Sequence, residues 1–137
     1  MDANSIALFS SKKTDNWGTP KDLYDKLNAE FNFNLDPCPL EPTFDGLEID
    51  WIGNVFVNPP YSKVKQWLIK ANLEIKKQAD VIVFLVFANT DTAWFHDYVL
   101  GKAELRFLRG RIKFDGYSKN GAMRPSMLCI FRKDKNV

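Results

Sequence analysis

The sequence predicts one α/β domain on an open sheet, mainly parallel, with antiparallel strands at its C-terminal edge. Three observations carry this. Helical and strand-like segments alternate up to Gly101. Val81–Phe87 is an unbroken β-branched and aromatic run, the pattern of a strand covered on both faces. Beyond Gly101 the segments are all strand-like, which suits antiparallel strands closing one side of the sheet.

Thr19 followed by Pro20 reads as a helix start, with Thr19 as cap, Asp22 in the first turn, and Leu23, Leu27 and Phe31 as an apolar stripe. Phe31–Leu35 reads as a short strand ending at Asp36-Pro37. Residues 37–53 hold Pro37, Pro39, Pro42, Gly46 and Gly53, a density that forbids a regular element. A loop that long inside a compact domain is usually functional or disordered. Val55–Val57 is a short strand, and Ser62 can cap a helix running to about Ala79. The apolar positions Val64, Trp67, Leu68, Ala71 and Ile75 follow one helical face. Asn89-Thr90-Asp91 offers a cap for a helix over about 92–100. Glu104–Leu108, Ile112–Phe114 and Ser126–Arg132 read as the closing strands.

The 137 residues suit a single domain over 16–133, behind a polar, flexible N-terminus at 1–15, with no separate target-recognition domain. The longest strongly apolar run, Val81–Ala88, is too short for a bilayer, which needs roughly 20 residues. Two cysteines, Cys38 and Cys129, make no disulfide framework and no zinc pattern, so a reducing setting without metal is expected. Charge is uneven: 9 Lys/Arg face 14 Asp/Glu up to Gly101, and 10 face 3 beyond it. A basic end of this kind suits a polyanion, although cations can equally coat a solvated face. Arg106, Arg109, Arg111, Lys113, Lys119 and Arg124 bracket the last strands as candidate phosphate contacts.

In open α/β sheets, ligands bind beyond the carboxyl ends of strands. Asn58-Pro59-Pro60-Tyr61 stands there. Two prolines stiffen the turn and remove backbone donors while leaving carbonyl acceptors. An amide acceptor and a flat aromatic ring complete the cluster, which suits an amino group on a planar heterocycle. Read blandly, it is a stiff strand-to-helix turn. Asp91 and Trp94 follow the central strand at the same edge, as pocket residues or as cap and core aromatic. His96, the lone histidine, suits helix packing, and Cys38 suits small-residue packing.

Asn58-Pro-Pro-Tyr61 after a short apolar strand resembles the signature of amino-methyltransferases. With Trp17-x-Thr19-Pro20, Leu35-Asp36-Pro37-Cys38, Asp45-Gly-Leu47, Trp51, Ser62, Thr90-Asp91-Thr-x-Trp94-Phe95, Gly110-Arg111, Phe114 and Pro125-Ser126, the chain looks like the phage-encoded DNA N6-adenine methyltransferases over roughly 16–132. The resemblance implies a compact Rossmann-like methyltransferase sheet, S-adenosylmethionine as cofactor, and double-stranded DNA as substrate. It implies that Asn58 and Pro59 accept from adenine N6, with Pro60 stiffening the turn. Tyr61 then stacks on the extruded base. Trp17, Thr19, Pro20, Asp36, Pro37 and Cys38 fall in the implied cofactor region. No Gly-rich turn follows the first strand, so the 37–53 loop is expected to cover the adenosine, with Asp45 or Asp50 on the ribose or simply exposed. Ser62, Asp91, Trp94, Arg109, Arg111, Lys113, Lys119 and Arg124 are the expected substrate side. A homodimer would enlarge the DNA contact. The setting implied is the cytoplasm, that of a bacterial host for a phage or prophage product. Enzymes that methylate RNA adenines or glutamine side chains share the tetrapeptide. A non-catalytic nucleic-acid-binding module on a degenerate scaffold is the reading from a different class.

Overall fold

A computed structural model describes residues 18–114 and 124–133. In chain order its elements are α1 (Lys21–Phe31), β1 (Gly53–Val57), a 3-10 turn (Tyr61–Lys63) leading into α2 (Val64–Glu74), β2 (Ala79–Phe87), α3 (Ala93–Tyr98), β3 (Glu104–Phe107) and β4 (Ser126–Arg132). The expected flexible segment 1–15 lies outside the described residues.

The strands form one sheet in the order β1-β2-β4-β3. β1 and β2 are parallel, joined through α2 in a single βαβ unit, while β2–β4 and β3–β4 are antiparallel. The expectation of a mainly parallel sheet is therefore corrected: of three pairings, only β1–β2 is parallel. The cause is one insertion. β3 runs in the same direction as β1 and β2, but β4 returns between β2 and β3, so β3 meets only a reversed neighbour. β4 is accordingly an interior strand, with Ser126–Phe131 all buried, and the edge belongs to β3.

The sheet has helices on both faces. Along β2, Val81, Val83 and Leu85 face the α1 side with Leu27, Phe31 and Phe56. Ile82, Phe84 and Val86 face the α2 side with Trp67, Leu68, Ala71 and Phe95. Strict alternation with both sets buried is what a continuous apolar run produces in a central strand. The predicted stripe of α2 holds: Val64, Trp67, Leu68 and Ala71 are buried and Ile75 packs beside them.

Local differences have local causes. Phe31 ends α1 rather than opening a strand, and Asn32 takes the left-handed conformation that stops the helix. Of the expected strand only Leu35 pairs, in a single parallel bridge with Val55. Asn34 and Asn54 do the rest: Asn34 Oδ1 accepts from Asn54 N–H at 2.6 Å, and Asn54 Nδ2 donates to the Phe31 carbonyl at 2.8 Å. Thr19 and Ser62 make no cap: Pro20 and Lys63 hold those positions without a side-chain cap bond. Thr92 caps α3, its hydroxyl accepting from Phe95 N–H. Ile112–Phe114 is irregular, yet Phe114 is buried on the α1 side.

The 37–52 segment has no helix or strand, as its prolines require, but it is pinned. Trp51 is fully buried, stacks near Trp67, and donates from Nε1 to the Gly46 carbonyl at 2.9 Å. Its backbone N–H donates to buried Glu74 at 2.6 Å. Burial pushes the Glu74 carboxyl up, but the Trp51 N–H, Lys70 and Lys77 outweigh it and hold the group below the usual carboxylate range.

Candidate active site

β1, β2 and β3 all point toward one sheet edge, and Leu35 runs parallel to β1. The segments that follow them therefore gather there: Asp36–Leu40, Asn58–Ser62, Ala88–Thr92 and Leu108–Phe114. β4 starts at that edge, where Pro125 accepts from Ala88 N–H and Ser126 from Leu108 N–H.

A cavity of about 240 Å3 opens at this edge, lined by Gly18, Thr19, Tyr24, Asp36, Cys38, Pro39, Leu40, Phe56 and Asn58. It lies just below the roughly 300 Å3 at which small-molecule sites begin, and its mixture of apolar wall and few polar groups is typical of them. The Asp36 carboxylate closes an Asx turn by accepting from Cys38 N–H at 2.9 Å. Proline at 37 rigidifies the same turn.

Asn58 is buried at the end of β1. Its Nδ2 donates to Thr19 Oγ1 at 3.1 Å, which leaves Oδ1 as the amide's acceptor. Thr19 thus meets the Asn-Pro-Pro-Tyr turn instead of capping α1. Pro59 and Pro60 are buried and Tyr61 half-buried. The Tyr61 ring stacks on Phe87 at 4.3 Å and 26°, and Phe114 meets Phe87 edge-on. One face of Tyr61 is thereby covered.

Of the expected cofactor residues, Thr19, Asp36 and Cys38 line the cavity; Pro20 and Pro37 adjoin it in sequence, and Trp17 lies outside the described residues. Asp45 and Asp50 are not on its wall. Asp45 instead closes its own turn, accepting from Leu47 N–H at 3.0 Å, and Asp50 is exposed. The 37–53 loop contributes Cys38, Pro39 and Leu40 to the wall. Cys129 is far from reactive, because burial pushes its thiol up to about 12.

On the substrate side, Ser62, Asp91, Arg109, Arg111, Lys113 and Arg124 are all exposed at the carboxyl edge, and Trp94 is half-buried against the α2-side core. Arg124 reaches Asn89 Oδ1 at 3.5 Å. Lys119 lies outside the described residues. Arg106 is engaged internally: it forks onto Glu30 at 2.7 and 2.8 Å and onto Glu104 at 2.7 Å. Hydrogen bonds from Arg106, joined at Glu104 by Arg132, hold both carboxyls below their usual range.

Sequence reasoning did not single out Gly18, Tyr24 or Phe56 for the cavity wall, and it reached Pro39 and Leu40 only as part of the 37–53 loop. Tyr24 stands one helical turn after Pro20, so the helix start brings it to the same side. Burial, with Asp36 and Asp25 nearby, raises its hydroxyl above the usual tyrosine value. Phe87 carried a signal too, as an aromatic at the carboxyl end of the central strand.

Fold and site define a class: a small α/β protein whose edge cavity shares an amide with a rigid, acceptor-rich turn. The family model for DNA N-6-adenine-methyltransferase (Dam) matches residues 8–136. The chain belongs to this family, which acts on adenine in DNA. No curated protein matches the chain. Among the described residues no helix is long and apolar enough to cross a membrane, and no group of three or more His, Cys, Asp or Glu is placed to hold a metal ion.

Proposed function

We propose that this chain transfers a methyl group from S-adenosylmethionine to N6 of adenine in DNA, with the base turned out of the duplex onto Asn58–Tyr61. The observation that carries the reading is the shared amide: Asn58 lines the cavity with Thr19 and Asp36, and also opens the acceptor turn. A cavity and an acceptor cluster joined at one residue suit transfer between two bound molecules.

The wall fits the cofactor. Asp36 offers a carboxylate to the ribose hydroxyls, and Cys38, Pro39 and Leu40 offer an apolar surface to the adenine. Tyr24 and Phe56 add aromatic surface. When bound, S-adenosylmethionine supplies a methyl group on a cationic sulfur, open to displacement by a weak nucleophile. Adenine N6 is such a nucleophile, because its lone pair is delocalised into the ring. Asn58 Oδ1 and the Pro59 carbonyl accept from its two N–H groups and favour the tetrahedral nitrogen, so their stabilisation grows toward the transition state. Tyr61 holds the base plane with the face turned away from Phe87. Held by Asn58 and the Pro59 carbonyl, N6 would take the methyl group that the cofactor would supply, the sulfur leaving as a neutral thioether, and would then give up a proton to water. Alignment by the rigid Pro59-Pro60 turn supplies much of the remaining acceleration. No side-chain nucleophile is needed.

The test is a methylation assay on mixed-sequence unmethylated duplex with isotopically labelled cofactor, resolving nucleosides by mass spectrometry. Wild type should yield labelled N6-methyladenine, and Asn58→Ala about 100-fold less or worse. Cofactor binding without any labelled adenine would redirect the reading to another amino group. Absence of cofactor binding in a folded chain would favour the non-catalytic nucleic-acid module.

A further inference from the structure

Phe107 is the most exposed large apolar residue described, at 65%. It ends β3, the edge strand, and pairs with Met127, which also pairs with Val86. Val57, the last residue of β1, lies opposite Phe84. Phe107 thus stands at the carboxyl edge, three strand spacings from β1, or roughly 14 Å across the sheet from the Asn58 turn.

Its neighbours hold it rigidly while leaving the ring exposed. Leu105, two residues earlier on the same face, packs against the α2-side core. Arg106, on the opposite face, is clamped to Glu30 and Glu104. Leu108 N–H donates to the Ser126 carbonyl at 3.1 Å. The segment that follows it is cationic: Arg109, Arg111 and Lys113 are all exposed, no acidic residue occurs between Leu105 and Phe114, and Leu108, Ile112 and Phe114 pack on the α1 side. An exposed apolar ring on a fixed strand, followed directly by an exposed cationic segment, suits a base stack flanked by phosphates.

We propose that Phe107 is a wedge that packs against the base stack of the duplex and favours extrusion of the target adenine toward Asn58–Tyr61. The inference rests on the proposed reading of DNA adenine as the methyl acceptor. Base flipping is least costly where pairing is already lost. A wedge that assists it should therefore matter for a paired adenine and matter little for an unpaired one.

The experiment compares wild type, Phe107→Ala and Phe107→Trp on one oligonucleotide duplex with the target adenine opposite thymine or opposite an abasic site. Methylation kinetics, DNA binding by anisotropy, sedimentation and thermal unfolding are measured for each. Phe107→Ala should lower kcat/KM about tenfold on the paired duplex, judged by base–aromatic contacts. It should have less than about a twofold effect opposite the abasic site, with wild-type unfolding and cofactor binding. Phe107→Trp should restore the paired substrate. An equal loss on both substrates, or no loss, would overturn the wedge. So would a variant that changes only self-association, which would make Phe107 a contact with a second copy. If wild type binds DNA but methylates none, the proposed reaction fails. The wedge is then judged by binding alone: Phe107→Ala must weaken the paired duplex more than the abasic one, or it falls too.

Discussion

Asn58 carries the strongest consequence of any single residue, because two demands meet on one buried amide. Its Oδ1 is the acceptor proposed for the amino group, and that atom is aimed by what Nδ2 does. Nδ2 donates to Thr19 Oγ1, brought from 39 positions earlier in the chain. Thr19→Val keeps the shape and removes the oxygen, and with it a hydrogen bond, at a cost of about 0.5–1.5 kcal/mol. Part of that cost should appear as disorder in the acceptor. The expected result is a fall in kcat/KM of about tenfold, with Thr19→Ser retaining most activity. A wild-type rate for Thr19→Val would show that the hydroxyl does not aim Asn58. Thr19 and Asn58 were both legible as motif residues. Their contact was not, since Thr before Pro at a helix start reads locally as a cap.

Among the elements, the loop between Leu35 and Gly53 departs furthest from what local pattern suggests. Proline density correctly forbids a helix or strand, but it does not say that the loop is anchored as tightly as one. The anchor is Trp51, whose indole N–H reaches Gly46 and whose backbone N–H reaches Glu74. Gly46 is needed for closeness, not for a positive φ. A Cβ there would meet the Pro37 carbonyl oxygen at 1.8 Å and the Trp67 ring at 2.8 Å. Gly46→Ala must displace Pro37, and with it the Asp36–Cys38 turn on the cavity wall. We expect destabilisation of about 3 kcal/mol and weaker cofactor binding. Gly101→Ala, with open space around it and only a φ of 78° against it, should cost about 1 kcal/mol. Urea unfolding of both variants checks this; equal costs would mean that the loop gives way. The loop was readable as irregular, but its Asp45 and Asp50 were not readable as remote from the cavity. A loop's side chains take their direction from tertiary anchors rather than from a period.

At the scale of the whole molecule, charge and topology act together. The carboxyl edge collects Arg109, Arg111, Lys113 and Arg124, all exposed, while Arg106 and Arg132 are tied to Glu104. If the exposed four meet phosphates, the logarithm of the DNA association constant should fall with the logarithm of salt at a slope of about −3 to −4. Neutralising Arg109 should reduce that slope by about 1, and neutralising Arg106 should instead lower stability. A flat salt response would remove the phosphate role. The sequence by itself determined the alternation of elements, the doubly covered central strand, the buried face of α2 and the tetrapeptide of the proposed site. Each is a local pattern, set by side-chain period, proline geometry or residue chemistry. Tertiary structure alone decided that β4 enters between β2 and β3, that Thr19 meets Asn58, that Phe87 covers one face of Tyr61, and which arginine faces outward. These are pairings between distant segments. The apolar run in Met127–Phe131 reads as a closing strand at the edge of the sheet, and only packing put it inside between β2 and β3, because pattern does not select partners.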